Sequence, residues 1–288
     1  MTPRIHRRCQ MSDKSPSIMR LNKRLLLAMM INTYRPGMNS TGKHSAIVIR
    51  PCQGIDELEA CFEIQKQVWG FSDRDGVPSQ IFVVAQKTGG QVIAAFDGPR
   101  QIGFVLAFMA ADDRGIFIHS HFAGVLPEYQ GHGIGRRLKL AQRDDCLQRG
   151  ISRMQWTFDP LAFVNAHFNI NQLGCIVRHY VRNQYGLTSS HLHGGLETDR
   201  FVAEWELRSP RVLHILEGGL PSLPSGRATI TLPANTTALA RNGSRDAAEI
   251  QARIRQEFAD FFARGYAVTA FDLGAEQARY LLEPYAEL

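Results

Sequence analysis

The sequence predicts an α/β (α+β mixed) fold, a central mixed β-sheet flanked by helices, and three observations carry that expectation. Two apolar strands, 91–96 and 101–110, are joined by the turn signal Asp97-Gly98-Pro99-Arg100. Two segments with apolar residues at helical spacing precede this hairpin, and alternating strands and helices follow it. Between one of those strands and its helix lies VLPEYQGHGIGRRL, Val125 to Leu138, with glycines at the alternate positions Gly131, Gly133 and Gly135.

In chain order, AIVIRPC (46–52) alternates as a first strand. A helix opens at Gly54-Ile55-Asp56, carries Leu58, Cys61, Phe62, Ile64 and Val68 on its apolar face, and stops at Gly70. FSDRDGVPSQ reads as a loop, and Pro78 starts a short helix that runs to about Lys87, ahead of Gly89-Gly90. The hairpin strands come next, then GIFIHSHFAGV (115–125) as another strand. Behind the glycines, Ile134, Leu138 and Ala141 form one apolar row and Leu140 and Leu147 a second, so this helix is expected to be covered on more than one side before it ends at Gly150. ISRMQWTF (151–158), the turn Asp159-Pro160, a helix over about 162–173, a strand over 175–181 and RFVAEWEL (200–207) complete a β-α-α-β-β-β-α-β-α-β order. The last eighty residues read as a Gly, Pro and Ser rich connection, the strand ATITLPA, a polar amphipathic helix over 246–263 and the strand YAVTAFDL, too small a strand-helix-strand unit for its own core.

Composition bounds the function. A hydrophobic fraction of 44% and a charged fraction of 21% are those of an ordinary globular chain. The formal charge of +6 lies in the tail: residues 1–43 hold nine Lys and Arg and one acidic residue, a net of +8, which leaves −2 for the rest. A nucleic-acid partner is therefore not expected, and no apolar run has the length of a membrane span. MRLNKRLLLAMMI (19–31) is basic and then apolar, but its apolar run is seven residues with no small-x-small cleavage pattern behind it. The tail 1–43 is expected to be disordered, with Met38 as an alternative start. Cys9, Cys52, Cys61, Cys146 and Cys175 show no CxxC spacing, so neither a disulfide framework nor a metal site is expected, and a reducing cytoplasm is the natural setting. His191 and His193 flank Leu192 with no third ligand in view, and are read as loop histidines.

Alternate glycines leave backbone N–H groups unshielded, and a helix start directly behind them adds partial positive charge, so an anion such as a phosphate is the expected guest. A Walker loop requires Lys-Ser or Lys-Thr after its second glycine, which is missing. A dinucleotide fingerprint requires a βαβ unit where this chain has antiparallel hairpins. The stretch Val125-Leu126-Pro127, Gln130-Gly131-His132-Gly133-Ile134-Gly135, with a helix holding Leu138, resembles instead the GNAT superfamily of acyl-CoA-dependent N-acyltransferases, whose pyrophosphate loop reads Q/R-x-x-G-x-G/A, and the order of elements matches from Ala46 to Leu207. WTFDPL (156–161), NAHFNINQLG (165–174) and TDRF (198–201) resemble one branch of predicted acetyltransferases within it.

The resemblance implies three segments: the tail 1–43, a GNAT-like acyltransferase domain over 44–207, and an extension over 208–288 docked on it. It implies that amides of Gln130, Gly131, His132, Gly133, Ile134, Gly135 and Arg136 cradle the pyrophosphate of acetyl-CoA or another acyl-CoA, and that Ala123, Gly124 and Val125 pair with its pantetheine arm as an added strand. Asn165 stands where members often carry an Asn that touches CoA; it reads equally as a polar residue at a helix start. The family's usual general acid is a Tyr four residues before the Gly of Leu-Gly, and here that position is Ile170, with Tyr180 and Tyr185 just downstream. His119 sits six residues before Val125, where some members carry a catalytic Glu, and His121 is expected on the same strand face. Either imidazole suits a base acting through water, and either reads equally as a structural histidine. Asp159, Asn169 and Arg200 are the candidates for the acceptor pocket, against plain readings as a turn former, a cap and an ion-pair partner, while Glu128 and Tyr129 read as solvated loop residues. The expected reaction is direct transfer of an acyl group to a small-molecule amine, open among amino acids, amino sugars and peptides; the rival reading is an acyl-CoA-binding module without activity.

Overall fold

The hairpin at Asp97-Gly98 seeds the sheet: in the computed structural model β2 (Gln91–Asp97) and β3 (Arg100–Asp112) pair antiparallel, with Gln91 opposite Ala107. The structure describes residues 47–70, 75–186, 194–221 and 227–285; the basic tail and His191 and His193 lie outside the described residues. β1 (Val48–Pro51) adds to β2, and β4 (Gly115–Val125) adds to β3, both antiparallel. α1 (Gly54–Trp69) and α2 (Ser79–Lys87) connect β1 to β2, and Gly70 closes α1 in the left-handed conformation at φ +65°. After the glycine stretch, α3 (Ile134–Gln148) crosses over to β5 (Arg153–Phe158), which lies parallel to β4.

Beyond β5 the chain makes one turn of α-helix, α4 (Phe163–Ala166), and continues as a π-helical turn, His167–Gln172, where a uniform helix is predicted. β6 (Ile176–Val181) and β7 (Arg200–Glu206) follow, with β7 inserted between β5 and β6. A short helix absent from the sequence prediction, α5 (Pro210–Leu216), comes next; its signal is legible, since Ser209 accepts from the Val212 N–H and Pro210 occupies the first turn. The C-terminal region holds β8 (Ala228–Pro233), α6 (Thr236–Arg241), α7 (Arg245–Ala263), β9 (Tyr266–Leu273) and β10 (Gln277–Pro284). The strand-helix-strand expectation is therefore short by α6 and β10. β10 hides its alternation by changing from Gln277 and Arg279 outward to the buried run Tyr280, Leu281, Leu282.

The ten strands form one sheet in the order β1-β2-β3-β4-β5-β7-β6-β9-β10-β8, and all neighbours run antiparallel except β4 and β5. Two apolar clusters meet at that exception. One gathers α1, α2 and β1 to β3 with Ile134 and Leu138 of α3; the other gathers β5 to β10 and their helices with Cys146 of α3, and Leu140 and Leu147 pack against it. The two apolar rows of α3 thus serve two cores. Between Leu138 and Leu140 stands Lys139, 3% exposed, at the seam.

Candidate active site

The seam opens because the parallel ladder is two pairs long. Ile118 faces Met154 and His119 faces Gln155, and from Ser120 onward β4 stays paired to β3 alone, with Ala123 opposite Val105 and Val125 opposite Gly103. The other edge of β4 over 120–125 is left as a strand edge without a strand partner among the described residues, the arrangement that accepts an extended ligand by strand addition. The edge leads directly into the glycine stretch.

There Gly131 and Gly133 hold φ +80° and +75°, values that other residues rarely adopt, and Gly133 is the left-handed residue at the start of α3. No side chain caps that start. A Cβ added at Gly131, Gly133 or Gly135 would meet no atom within 4 Å, so the space over the helix start is open to a guest. Gln130 braces the loop, its Nε2 donating to the Val125 carbonyl at 2.9 Å, and the Arg136 guanidinium donates to the Leu216 carbonyl at 3.2 Å. Together with an open helix start, these residues fit a bound pyrophosphate. Tyr129 corrects its expectation: it is buried, and its hydroxyl donates to Asp97 at 2.9 Å, while Glu128 is exposed and pairs with Arg100 at 2.6 Å.

On the α1 face of β4 stand both candidate bases. They share that face by simple alternation, two residues apart with Ser120 turned the other way, and a bulge follows: Leu106 pairs with Phe122 and Ala107 with Ser120, which leaves His121 as the extra residue and sets it beside Phe122. The two rings lie 6.3 Å apart, and His121 packs on Phe122 and Phe108 at 4.5 and 5.7 Å. Neither imidazole hydrogen-bonds a described residue. Burial, then the nearby Lys139 charge, lowers the His119 pKa; burial, then His119, lowers that of His121 to about 4. Both are neutral proton acceptors at neutral pH.

The α3 face carries a different set. Lys139 Nζ donates to Ser120 Oγ at 2.7 Å and lies 3.8 Å over the Trp156 ring. Ser120 Oγ donates in turn to Gln142 Oε1 at 3.1 Å, and Gln142 Nε2 to Gln91 Oε1 at 3.1 Å. Burial pushes the Lys139 pKa down to about 7. Nothing in the apolar spacing of α3 marks this residue; its only sequence signal is a lysine between two leucines that face two cores.

The acceptor candidates divide. Arg200 is buried with its guanidinium 5.4 Å from the Tyr185 ring, and Tyr185 shares a 2.9 Å hydrogen bond with Thr157, on the strand face that carries His119. Arg200 pairs with the Asp199 carbonyl, while the Asp199 carboxylate serves Arg255 and Tyr180. Asp159 accepts from the Leu161 N–H at 2.7 Å, and burial raises its pKa. Asn169 lies elsewhere: its Oδ1 accepts from Trp156 Nε1 at 3.1 Å, on the α3 face of β5, so it does not join Arg200 and Thr157. Asn165 is exposed in the first turn of α4, and Ile170 is fully buried in the core. Among the described residues no group of three His, Cys, Asp or Glu side chains is placed to hold a metal ion, and no helix is long and apolar enough to cross a membrane.

Residues 56–168 match the family model described as the acetyltransferase (GNAT) family. Among solved structures the chain is similar to the ribosomal-protein-S18-alanine N-acetyltransferase of Escherichia coli, with 17% identity over 57% of this chain and 95% of that one, at a TM-score of 0.45. It is similar also to yncA of Salmonella typhimurium, solved with acetyl-CoA, with 18% identity over 58% and 98% of the two chains at 0.45. Naa50 of Arabidopsis thaliana, in complex with a bisubstrate analogue, gives 14% identity over 56% and 98% at 0.44. No curated protein matches the sequence.

Proposed function

We propose that residues 56–168, which match the GNAT acetyltransferase family model, form an acyltransferase domain, and that this enzyme transfers an acyl group from acyl-CoA directly to a small-molecule amine in a reducing cytoplasm. The observation that carries the reading is the continuous path from the open edge of β4 into the uncapped, glycine-lined start of α3. Acyl-CoA brings an activated thioester. The amides from Gln130 to Arg136 hold its pyrophosphate, Ala123, Gly124 and Val125 bind its arm through their backbone, and Asn165, exposed in the first turn of α4, offers its side chain to CoA. Gly124 also keeps this edge close to α1, since a Cβ there would lie 2.7 Å from the Trp69 ring.

His119, neutral and on the face away from α3, takes the proton of the incoming ammonium through a water, with His121 beside it. Arg200 and Asp159 orient the acceptor from the end of β7 and the turn after β5. Four buried free thiols, Cys52, Cys61, Cys146 and Cys175, support a reducing setting. Their burial supports transfer without a covalent cysteine intermediate.

Calorimetry of acetyl-CoA on the full chain tests the reading, with Gly135→Glu as the informative variant. Gly135 has no positive φ and open space above it, so the substitution adds negative charge to the cradle without backbone strain. A loss of affinity of about 100-fold is expected. Absence of binding to the folded wild type overturns the proposal. Ile170, buried where the family's acid is usual, favours a second reading as a binding module without activity. Slow acetyl-CoA hydrolysis that disappears in His119→Ala would decide against it.

A further inference from the structure

Lys139 is a residue for which a packed core has no use. Its neighbours in sequence, Leu138 and Leu140, face the two apolar clusters, and the position between them is fully enclosed. An uncharged side chain of the same length would fill that space without desolvating an amine. The ammonium stands where the parallel ladder ends: Ser120, its acceptor, is the first residue of β4 beyond the last β5 pair, and Trp156, beneath it, is the next residue of β5 after that pair. Lys139 thus sits at the apex of the opening, between the strands that part around it.

Its surroundings fix the charge without neutralising it. Ser120 turns a lone pair toward Lys139 because its own proton is committed to Gln142. His119 on β4, Cys146 on α3 and Cys175 ahead of β6 are the titratable groups that act on it or feel it, and none is a carboxylate. One N–H goes to Ser120 and the Trp156 π face takes part of the charge; a third N–H has no acceptor among the described residues.

We propose that Lys139 is the proton donor to the departing sulfur of CoA. This rests on the acyl-CoA reading above. An arm laid along β4 from Val125 toward Ser120 brings its thioester to this apex, and the two titratable sets then lie on opposite sides of the acyl carbon. His119 serves the amine on the α1 face, and Lys139 serves the leaving group on the α3 face. When the tetrahedral intermediate collapses, the C–S bond breaks and its electron pair stays on sulfur. The Lys139 ammonium proton passes to that sulfur to give the thiol. The remaining proton that the nitrogen sheds on becoming an amide returns the Lys139 amine to its charged form. Ile170, apolar at the family's usual acid position, then costs the enzyme nothing.

The probe is free CoA bound to the full chain, with its thiol titrated by ultraviolet thiolate absorbance. Lys139 and the bound thiol titrate as a coupled pair: a thiolate beside the amine holds the ammonium proton on, and the ammonium in turn brings thiolate absorbance in the wild type about one unit or more below its position in unbound CoA. Lys139→Met should return it to the value of unbound CoA while acetyl-CoA affinity stays within about twofold, because the pyrophosphate cradle is untouched. Lys139→Gln gives the same test should the Met variant not fold. A bound thiol with an unshifted pKa, or one equally shifted in both proteins, overturns Lys139 as the donor and leaves the acyl-CoA reading standing. Failure of the wild type to bind either CoA or acetyl-CoA removes the ground for both.

Discussion

At the point where β4 parts from β5, titratable groups flank the strand on both sides, and the two sides treat them differently. On the α1 face, His119 and His121 are half-buried, packed on rings, and without a hydrogen bond to a described residue. On the α3 face, Lys139 is enclosed, bonded to Ser120 and laid on Trp156. A group that finds its proton partners in solvent and substrate is left accessible; a group that must hold a charge at a fixed place is built in, at a cost in stability. In the proposed reaction the adaptable face is the one toward the acceptor and the rigid face the one toward the leaving group.

The largest expected effect breaks the rigid side. Burial depresses the Lys139 pKa from 10.5 to about 7, so the stability belonging to the neutral amine is complete above 10.5 and is lost as pH falls toward 7. Lys139→Met should therefore stabilise the protein at pH 7 by on the order of 4 kcal/mol, a gain that shrinks as pH rises toward 10.5. Ser120 stays satisfied through Gln142. Urea unfolding at several pH values measures it, and a variant less stable than wild type at pH 7 would mean that the ammonium is a structural pin.

The adaptable side predicts a smaller effect in a different window. His121, with a pKa lowered from 6.5 to about 4, contributes stability that is complete above 6.5 and is lost as pH falls to 4, by up to about 3 kcal/mol. His121→Gln should flatten the unfolding free energy against pH between those values. An unchanged slope would place the acid sensitivity on another group, His119 being the neighbour that shifts in the same direction.

These two sides also differ in how far the sequence discloses them. Backbone features are legible: Gly131, Gly133 and Gly135 before an apolar-spaced helix announce an open helix start, and Asp97-Gly98 announces the hairpin. The histidines are legible as residues of one strand face, though the bulge that sets His121 beside Phe122 is not, because an inserted residue leaves no mark in a period-2 pattern. Lys139 escapes entirely, and Asn169 is singled out as a residue while its place, bonded to Trp156 on the α3 face, escapes. Lys139 is hidden because a helix that serves two cores has no polar side at that residue to contrast with, and Asn169 because a π-helical turn shifts residues off the 3.6 period. β10 and α6 are missed for a plainer reason: a strand whose alternation is broken by three consecutive buried residues and a six-residue helix carry too few repeats to read.

Trp156 links the faces to the fold and ranks third. Trp156→Phe keeps a ring beneath Lys139 but removes the Nε1 donor, leaving Asn169 Oδ1 buried without its partner. A loss of about 1–2 kcal/mol is expected in urea unfolding. The bound-thiol titration should remain close to wild type, since the ammonium and its Ser120 acceptor are retained.

Thr157 is the next residue of the same strand and points to the other face, so it makes the smallest and sharpest contrast. Its hydroxyl meets that of Tyr185 at 2.9 Å in an exposed setting, where water substitutes for either partner. Thr157→Val keeps the branched shape and removes the oxygen, and should change unfolding free energy by about 0.5 kcal/mol or less. It should also leave acetyl-CoA affinity and the bound-thiol pKa where they are, because both belong to the α3 face. A raised KM for the amine acceptor with unaltered acetyl-CoA binding would assign Thr157 and Tyr185 to the acceptor side, and a shifted thiol pKa would show that the two faces are one site.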